Sequence, residues 1–356
     1  MAQASKIEWT DATWNPTRGC SRVSEGCRHC YAERQAYRYS LTQIAPFYGF
    51  VGEVNGHPAW TGKVELIESK LAEPLRWKAP RRIFVNSMSD LFHEALPDEA
   101  IDRVFAVMAL SPQHTFQILT KRPERMLNYC RAVDLERLRY WMNLAADGGE
   151  HRRGAYNLTS IAHRTKKGTE FEFVRRSKPP LPNVWLGVSI EDQATADQRI
   201  PFLLQTPAAI RFVSYEPALE LVDFTRLYGK ITIRGACDLC VDALSGKYAA
   251  AWRGRKTPLD RNLSELGAAK LDWVIVGGES GRYARPFDVE CAIVVRNQCR
   301  LAGTACFLKQ FGARPGYYRA DGWRDILLND RKGGGDMAEW PEDLRVREFP
   351  IQDRRN

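Results

Sequence analysis

Three cysteines fall within Gly19–Tyr31, GCSRVSEGCRHCY: Cys20, six residues, Cys27, two residues, Cys30. A C-x2-C pair with a third thiol close by is a donor set for a soft metal or an iron–sulfur cluster. The number three carries the information. A structural zinc site is closed by four ligands. A cluster of four irons held by three thiolates leaves one iron open to another ligand. A fourth donor from elsewhere in the chain would restore the zinc reading, and among nine cysteines three buried thiols can also gather by chance. A disulfide framework does not fit, because a chain of 356 residues buries a core without one.

The elements around the loop have a regular order. Ile7–Asn15 reads as a strand stopped by Pro16, and Tyr31–Ser40 as a helix. Further strands are expected at Arg82–Asn86, Thr115–Thr120, Asn183–Ser189, Ile210–Tyr215, Leu271–Val276 and Cys306–Gln310. Helices are expected at Asp98–Leu110, from Pro123, at Asp192–Gln205 and at Phe287–Ala302. Such alternation predicts an α/β fold with parallel strands and right-handed crossovers, a partial (β/α)6 barrel or six strands plus a closing one. One domain would cover residues 1–330, with insertions at about 147–182 and 227–270 and a C-terminal tail at 331–356.

In parallel α/β barrels the loops that follow the strands gather at one face and build the site. Candidate residues at those ends are Ser87 and Asp90, Lys121 and Arg122, Ser189 and Glu191, Glu216, and Gly277, Gly278 and Glu279. Lys121 and Arg122 are suited to a phosphate or carboxylate of a substrate. Cys237 and Cys240 form a second C-x2-C without two further ligands at zinc spacing. The six histidines show no metal-ligand spacing, which argues against a metal-dependent hydrolase.

Composition narrows the setting. No apolar run approaches the ~20 residues of a membrane helix, and the first residues, MAQASKIEWTD, lack the apolar core of a signal peptide. A cytoplasmic protein with reduced thiols is expected. A net charge of +9 implies either a polyanionic partner such as nucleic acid or a merely solvated basic surface. The basic first insertion and aromatics such as Trp141 and Tyr156 are candidates for backbone and base contacts.

The stretch IEWTDATWNPTRGCSRVSEGCRHCYAER resembles the opening of the phage-associated three-Cys-motif proteins, a radical-SAM-like family similar in outline to spore photoproduct lyase. The general radical SAM motif is C-x3-C-x2-C with an aromatic before the last cysteine. Here His29 precedes Cys30 and the first gap is six residues, and the wider gap resembles that family's own pattern. Further matching segments are FVNSMSDLFHEALPDE, ILTKRPERM, VWLGVSIED, RFVSYEPAL, WVIVGGESG and FLKQFG.

The resemblance implies a TIM-like partial barrel of radical SAM type. It implies a 4Fe-4S cluster on Cys20, Cys27 and Cys30, with S-adenosyl-L-methionine at the open iron. One-electron cleavage of that cofactor would start radical chemistry, on a nucleic acid or nucleotide substrate. Ser87 and Asp90 would hold the methionyl part, Glu191 or Glu216 the ribose. Ser189, Gly277, Gly278 and Glu279 would complete the cofactor site. An electron donor and a genetically linked partner protein are also implied. The alternative is a non-enzymatic nucleic-acid-binding protein with a structural zinc in the cysteine motif.

Overall fold

Seven short apolar runs become the strands of one parallel sheet: β1 Ala12–Trp14, β2 Arg82–Val85, β3 Thr115–Thr120, β4 Val184–Ile190, β5 Ile210–Tyr215, β6 Trp273–Gly277 and β7 Ala305–Gln310. The computed structural model describes residues 5, 7–132, 136, 180–230, 238–250, 261–330 and 333–351. The first insertion therefore lies outside the described residues up to residue 179, and so do Trp141 and Tyr156.

Spatial order equals chain order, and every pairing is parallel. Each strand adds to the outer edge of the one before, so right-handed crossovers all pass on the same side. A twisted sheet wound one way curls, and here it makes a seven-stranded half-barrel. β1 is shorter than expected. Ile7–Thr10 turns beneath it and delivers Trp9 to the concave face.

Side-chain alternation sorts the strands between two cores. Ile83, Val85, Leu186, Val188, Val213, Val274, Val276 and Leu308 pack toward the helices. Phe84, Trp185, Phe212, Trp273, Ile275 and Phe307 fill the concave side with Trp9. Gly187 has no Cβ because one would stand 2.6 Å from the Phe212 ring. Continued by steps of two toward the strand ends, the concave positions turn polar: Lys121, Ser189 and Glu191, Ser214 and Glu216, Glu279, Lys309. The half-barrel thus has an aromatic floor and a charged mouth.

The helices longer than one turn are α1 Tyr31–Arg38, α2 Asp98–Ala109, α3 Pro123–Ala132, α4 Gln193–Gln205 and α5 Val289–Ala302 among the described residues. α4 starts at Asp192, whose side chain accepts from the Thr195 N–H at 2.7 Å in a capping box. No described helix is long and apolar enough to cross a membrane.

Between β5 and β6 stands an antiparallel four-stranded sheet, Leu227–Lys230, Asp238–Asp242, Lys247–Ala250 and Arg261–Asn262. Cys240 lies in it, and Cys237 is outside the described residues. The expected tail is part of the body. Trp340 is buried and stacks on Phe311, and the Leu308 N–H donates to Val346 O at 2.8 Å. Phe349 lies with its ring 5.3 Å from that of Trp273. Apolar spacing in a short irregular segment has no period, so the sequence does not mark this stretch as core.

Candidate functional site

The cysteine loop leaves β1 and enters α1, so it begins at the charged mouth. Gly19 turns it with φ +88 and bridges to Ser89 beyond β2. The Thr17 and Ser89 hydroxyls share a 2.7 Å hydrogen bond, and the Thr17 N–H donates to Asn86 Oδ1 at 3.3 Å. A short 3-10 turn over Glu25–Cys27 follows, and Cys30 caps α1.

All three thiols are free and half-buried. Cys30 lies within electrostatic reach of both Cys20 and Cys27. Burial pushes the Cys20 thiol up to about 12, helped by Asp90 and opposed by Arg122. Burial raises Cys30 too, against the N–H groups of Glu33 and Ala32 at the helix start. Among the described residues no group of three His, Cys, Asp or Glu side chains is drawn together enough to hold a metal ion. The donors nevertheless fit a thiolate-bound cluster: soft, half-exposed, carried on one loop, and mutually coupled in charge.

Side chains from the strand ends strap the loop over the mouth. After β3, Arg122 donates to Ser21 Oγ at 2.7 Å and Ser21 O at 3.3 Å, and is itself held by Asp90 at 3.1 Å and Glu94 at 2.8 Å. Burial works against its charge, but Asp90 and Glu94 outweigh it and raise its pKa. After β2, His93 meets Ser21 Oγ through Nε2 at 2.8 Å, while its Nδ1 accepts from the Ala95 N–H. That fixes the proton on Nε2, and burial keeps the ring's pKa low.

After β4, Glu191 accepts from the Ser24 hydroxyl at 3.2 Å. It is wholly buried, paired with Lys121, and receives Arg199 on both oxygens at 3.2 Å. After β6, Arg285 donates to Glu25 O at 3.1 Å and is oriented by Glu279 at 3.0 and 3.2 Å. Tyr31 closes the far end, its hydroxyl donating to Ser87 O at 2.6 Å.

Gly26 is held to glycine by packing. A Cβ there would overlap the Glu191 side chain, which Lys121 and Arg199 hold in place. Gly26→Ala is therefore expected to lift the loop off the mouth, at an overpacking cost of about 1–3 kcal/mol. If the thiols hold a cluster, iron bound per chain after anaerobic reconstitution should fall while the main unfolding transition stays cooperative. Unchanged iron would show that the loop tolerates displacement.

The expected site residues do not all serve the same end. Cys20, Cys27, Cys30, Asp90, Arg122, Glu191 and Glu279 meet at the loop. The Lys121 ammonium lies 2.5 Å from Ser189 Oγ below Glu191. Glu216 instead pairs with Lys309 across the mouth at 2.5 Å. Both Asp90 oxygens are occupied, by Thr120 Oγ1 and the Phe92 N–H on one side and by the Lys121 N–H and Arg122 on the other. Asp90 and Arg122 are thus frame groups that hold the loop, not free groups awaiting a ligand.

The Ser87 hydroxyl donates to Asn15 Oδ1 at 3.1 Å. Gly277 and Gly278 admit the neighbouring strand: a Cβ on Gly277 would stand 3.3 Å from Gln310 O, and one on Gly278 would overlap Phe311 O.

Residues not anticipated are Lys309, Arg285, Arg199, Ser21 and Ser24. Lys309 was legible: in ACFLKQ it holds the same parity as Phe307, so it faces the concave side. Arg285 reaches a residue 260 positions away, which no local pattern marks.

A family model described as "Protein of unknown function (DUF5131)" matches residues 4–331. No curated protein and no solved structure matches the chain.

Proposed function

We infer that this chain, which belongs to the DUF5131 family, is a radical S-adenosylmethionine enzyme whose 4Fe-4S cluster sits on Cys20, Cys27 and Cys30. The observation that carries the reading is the loop itself: three thiols strapped over the C-terminal mouth of a parallel half-barrel from the ends of β2, β3, β4 and β6. With cluster and S-adenosylmethionine bound, the chemistry supplied there is one-electron cleavage of the sulfonium and hydrogen abstraction from a substrate.

The chain's own residues bind, orient and shield. Arg122 and Arg285 are cations beside the loop and offset the negative charge that three thiolates bring. Glu191 fixes the loop from below. Lys121, Glu216 and Lys309 supply donors and acceptors on the concave side for polar parts of the cofactor and substrate. The aromatic floor excludes water beneath the reacting groups. A basic chain, at +9, favours a nucleic acid or nucleotide as substrate.

The test is anaerobic purification with iron and sulfide analysis, then low-temperature EPR of the reduced protein with and without S-adenosylmethionine. The expected result is a 4Fe-4S signal that changes with the cofactor and is absent from the Cys20→Ala/Cys27→Ala/Cys30→Ala protein. Stoichiometric zinc without iron, even after reconstitution, would overturn it and leave a binding protein with a structural metal.

A further inference from the structure

The segments that follow β6 and β7 leave the half-barrel at the end where the cysteine loop lies, and they join. Phe287–Asp288 pairs in parallel with Pro315–Gly316, and Pro315–Arg319 turns back as Gly322–Asp325. The Ala313 N–H donates to Glu279 O at 2.8 Å, and Arg285 of the same segment reaches the cysteine loop. This small sheet is therefore anchored to the candidate site.

Phe287 is buried beneath it, Tyr317 and Trp323 are half-exposed, and Tyr318 is turned outward. Tyr318 and Trp323 are opposite one another in register, with ring centroids 4.9 Å apart at 68°. Gly316, two residues before Tyr318, lies on the same face. A Cβ there would be 2.7 Å from Trp323 Cε2, so the indole rests across the strand and is held in place. Tyr318 is 67% exposed, and Tyr283 on the neighbouring segment is 64% exposed.

Cations accompany the rings. Arg282 stands 5.6 Å from the Tyr283 ring and Arg319 4.8 Å from that of Tyr317. Arg282, Arg314 and Arg319 are exposed, and none forms an ion pair with another described residue. Arg324, by contrast, is paired with Asp321.

We propose that Tyr318, Trp323 and Tyr283, with Arg282, Arg314 and Arg319, form a stacking platform for single-stranded nucleic acid beside the cysteine loop. The core of a protein-binding patch is depleted of charge. Here two exposed rings and the half-exposed Trp323 lie among guanidinium groups that pair with no described carboxylate, the pattern that a strand of bases and phosphates repeats. A duplex offers only its phosphates to such a surface, because its bases are already stacked. As a statement about substrate this rests on the radical-enzyme reading, but binding itself does not require the cluster.

Fluorescence anisotropy of a labelled single-stranded oligonucleotide with the full chain tests it, with a duplex of the same sequence and heparin as comparisons. Tyr318→Ala and Trp323→Ala should each weaken binding of the strand at least about five-fold at unchanged net charge, and Tyr318→Phe should not. The Arg282→Gln/Arg314→Gln/Arg319→Gln protein should reduce the slope of log K against log salt by about 2, the share of three phosphates on a single strand. Unaltered melting curves identify variants that remain folded, and Tyr318, being exposed, is the safer of the two rings.

Failure of the strand to bind, or equal binding of duplex and heparin that the ring variants leave unchanged, would overturn the platform. Capture of a protein with no affinity for the strand would do so too. Running the same titration on the Cys20→Ala/Cys27→Ala/Cys30→Ala protein separates the two inferences. Retained binding there supports the platform whatever metal the cysteines hold. A cluster that loads into a chain that binds no strand overturns only the platform.

Discussion

Glu191→Leu is expected to lower the unfolding free energy by about 3–5 kcal/mol, the cost of breaking a buried ion pair from one side. Leucine matches the volume but abandons Lys121 and Arg199, and the latter side chain is only 4% exposed. Ser24 loses its acceptor as well, so the cysteine loop loses one strap. Urea unfolding monitored by tryptophan fluorescence should show the midpoint falling with little change in slope. Reconstituted iron per folded chain should also fall. Glu191→Gln keeps the shape and an acceptor, so it should cost less and retain more iron. If the leucine variant keeps both stability and iron, Glu191 is not the keystone of the mouth.

Trp273→Ala is expected to cost a similar amount, about 3–5 kcal/mol, for a different reason. The indole is wholly buried at the centre of the floor. Its centroid lies 5.3–6.2 Å from Phe349, Phe212, Trp185, Phe307 and Trp9. Its N–H donates to Glu348 O at 2.9 Å. Alanine leaves a cavity where Trp9 and Phe349 are pinned, and the neighbours are too interlocked to collapse into it. Trp273→Phe should recover much of the loss but not the hydrogen bond. Because the floor lies away from the mouth, iron per folded chain should remain near wild type at low temperature. A loss of iron equal to that of Glu191→Leu would mean that floor and mouth are mechanically one unit.

The comparison of these two variants reflects how the strands are built. Along β6, Trp273 and Ile275 face the floor and Gly277 and Glu279 continue the same face into the mouth. One strand thus supplies core packing at its start and polar groups of the mouth at its end, a division that period-two alternation repeats along β4, β5 and β7.

The strands and helices were legible because each is a short, strongly apolar or regularly spaced run, and local pattern fixes local structure. Their parallel arrangement followed from the alternation. The cysteine loop was visible because the spacing of its thiols is itself a local property. The role of each polar residue was decided by tertiary structure. Asp90 and Arg122 looked like free ligands, and only the fold shows their hydrogen-bonding capacity already taken by Thr120, Lys121, Glu94 and Ser21. Glu216 and Lys309 become partners across 93 residues. Arg285 and Glu25, and Trp273 and Phe349, are likewise products of chain closure. A side chain's chemistry is written in its type, but what it touches is set by contacts between segments far apart in the chain, and those exist only once the sheet has curled.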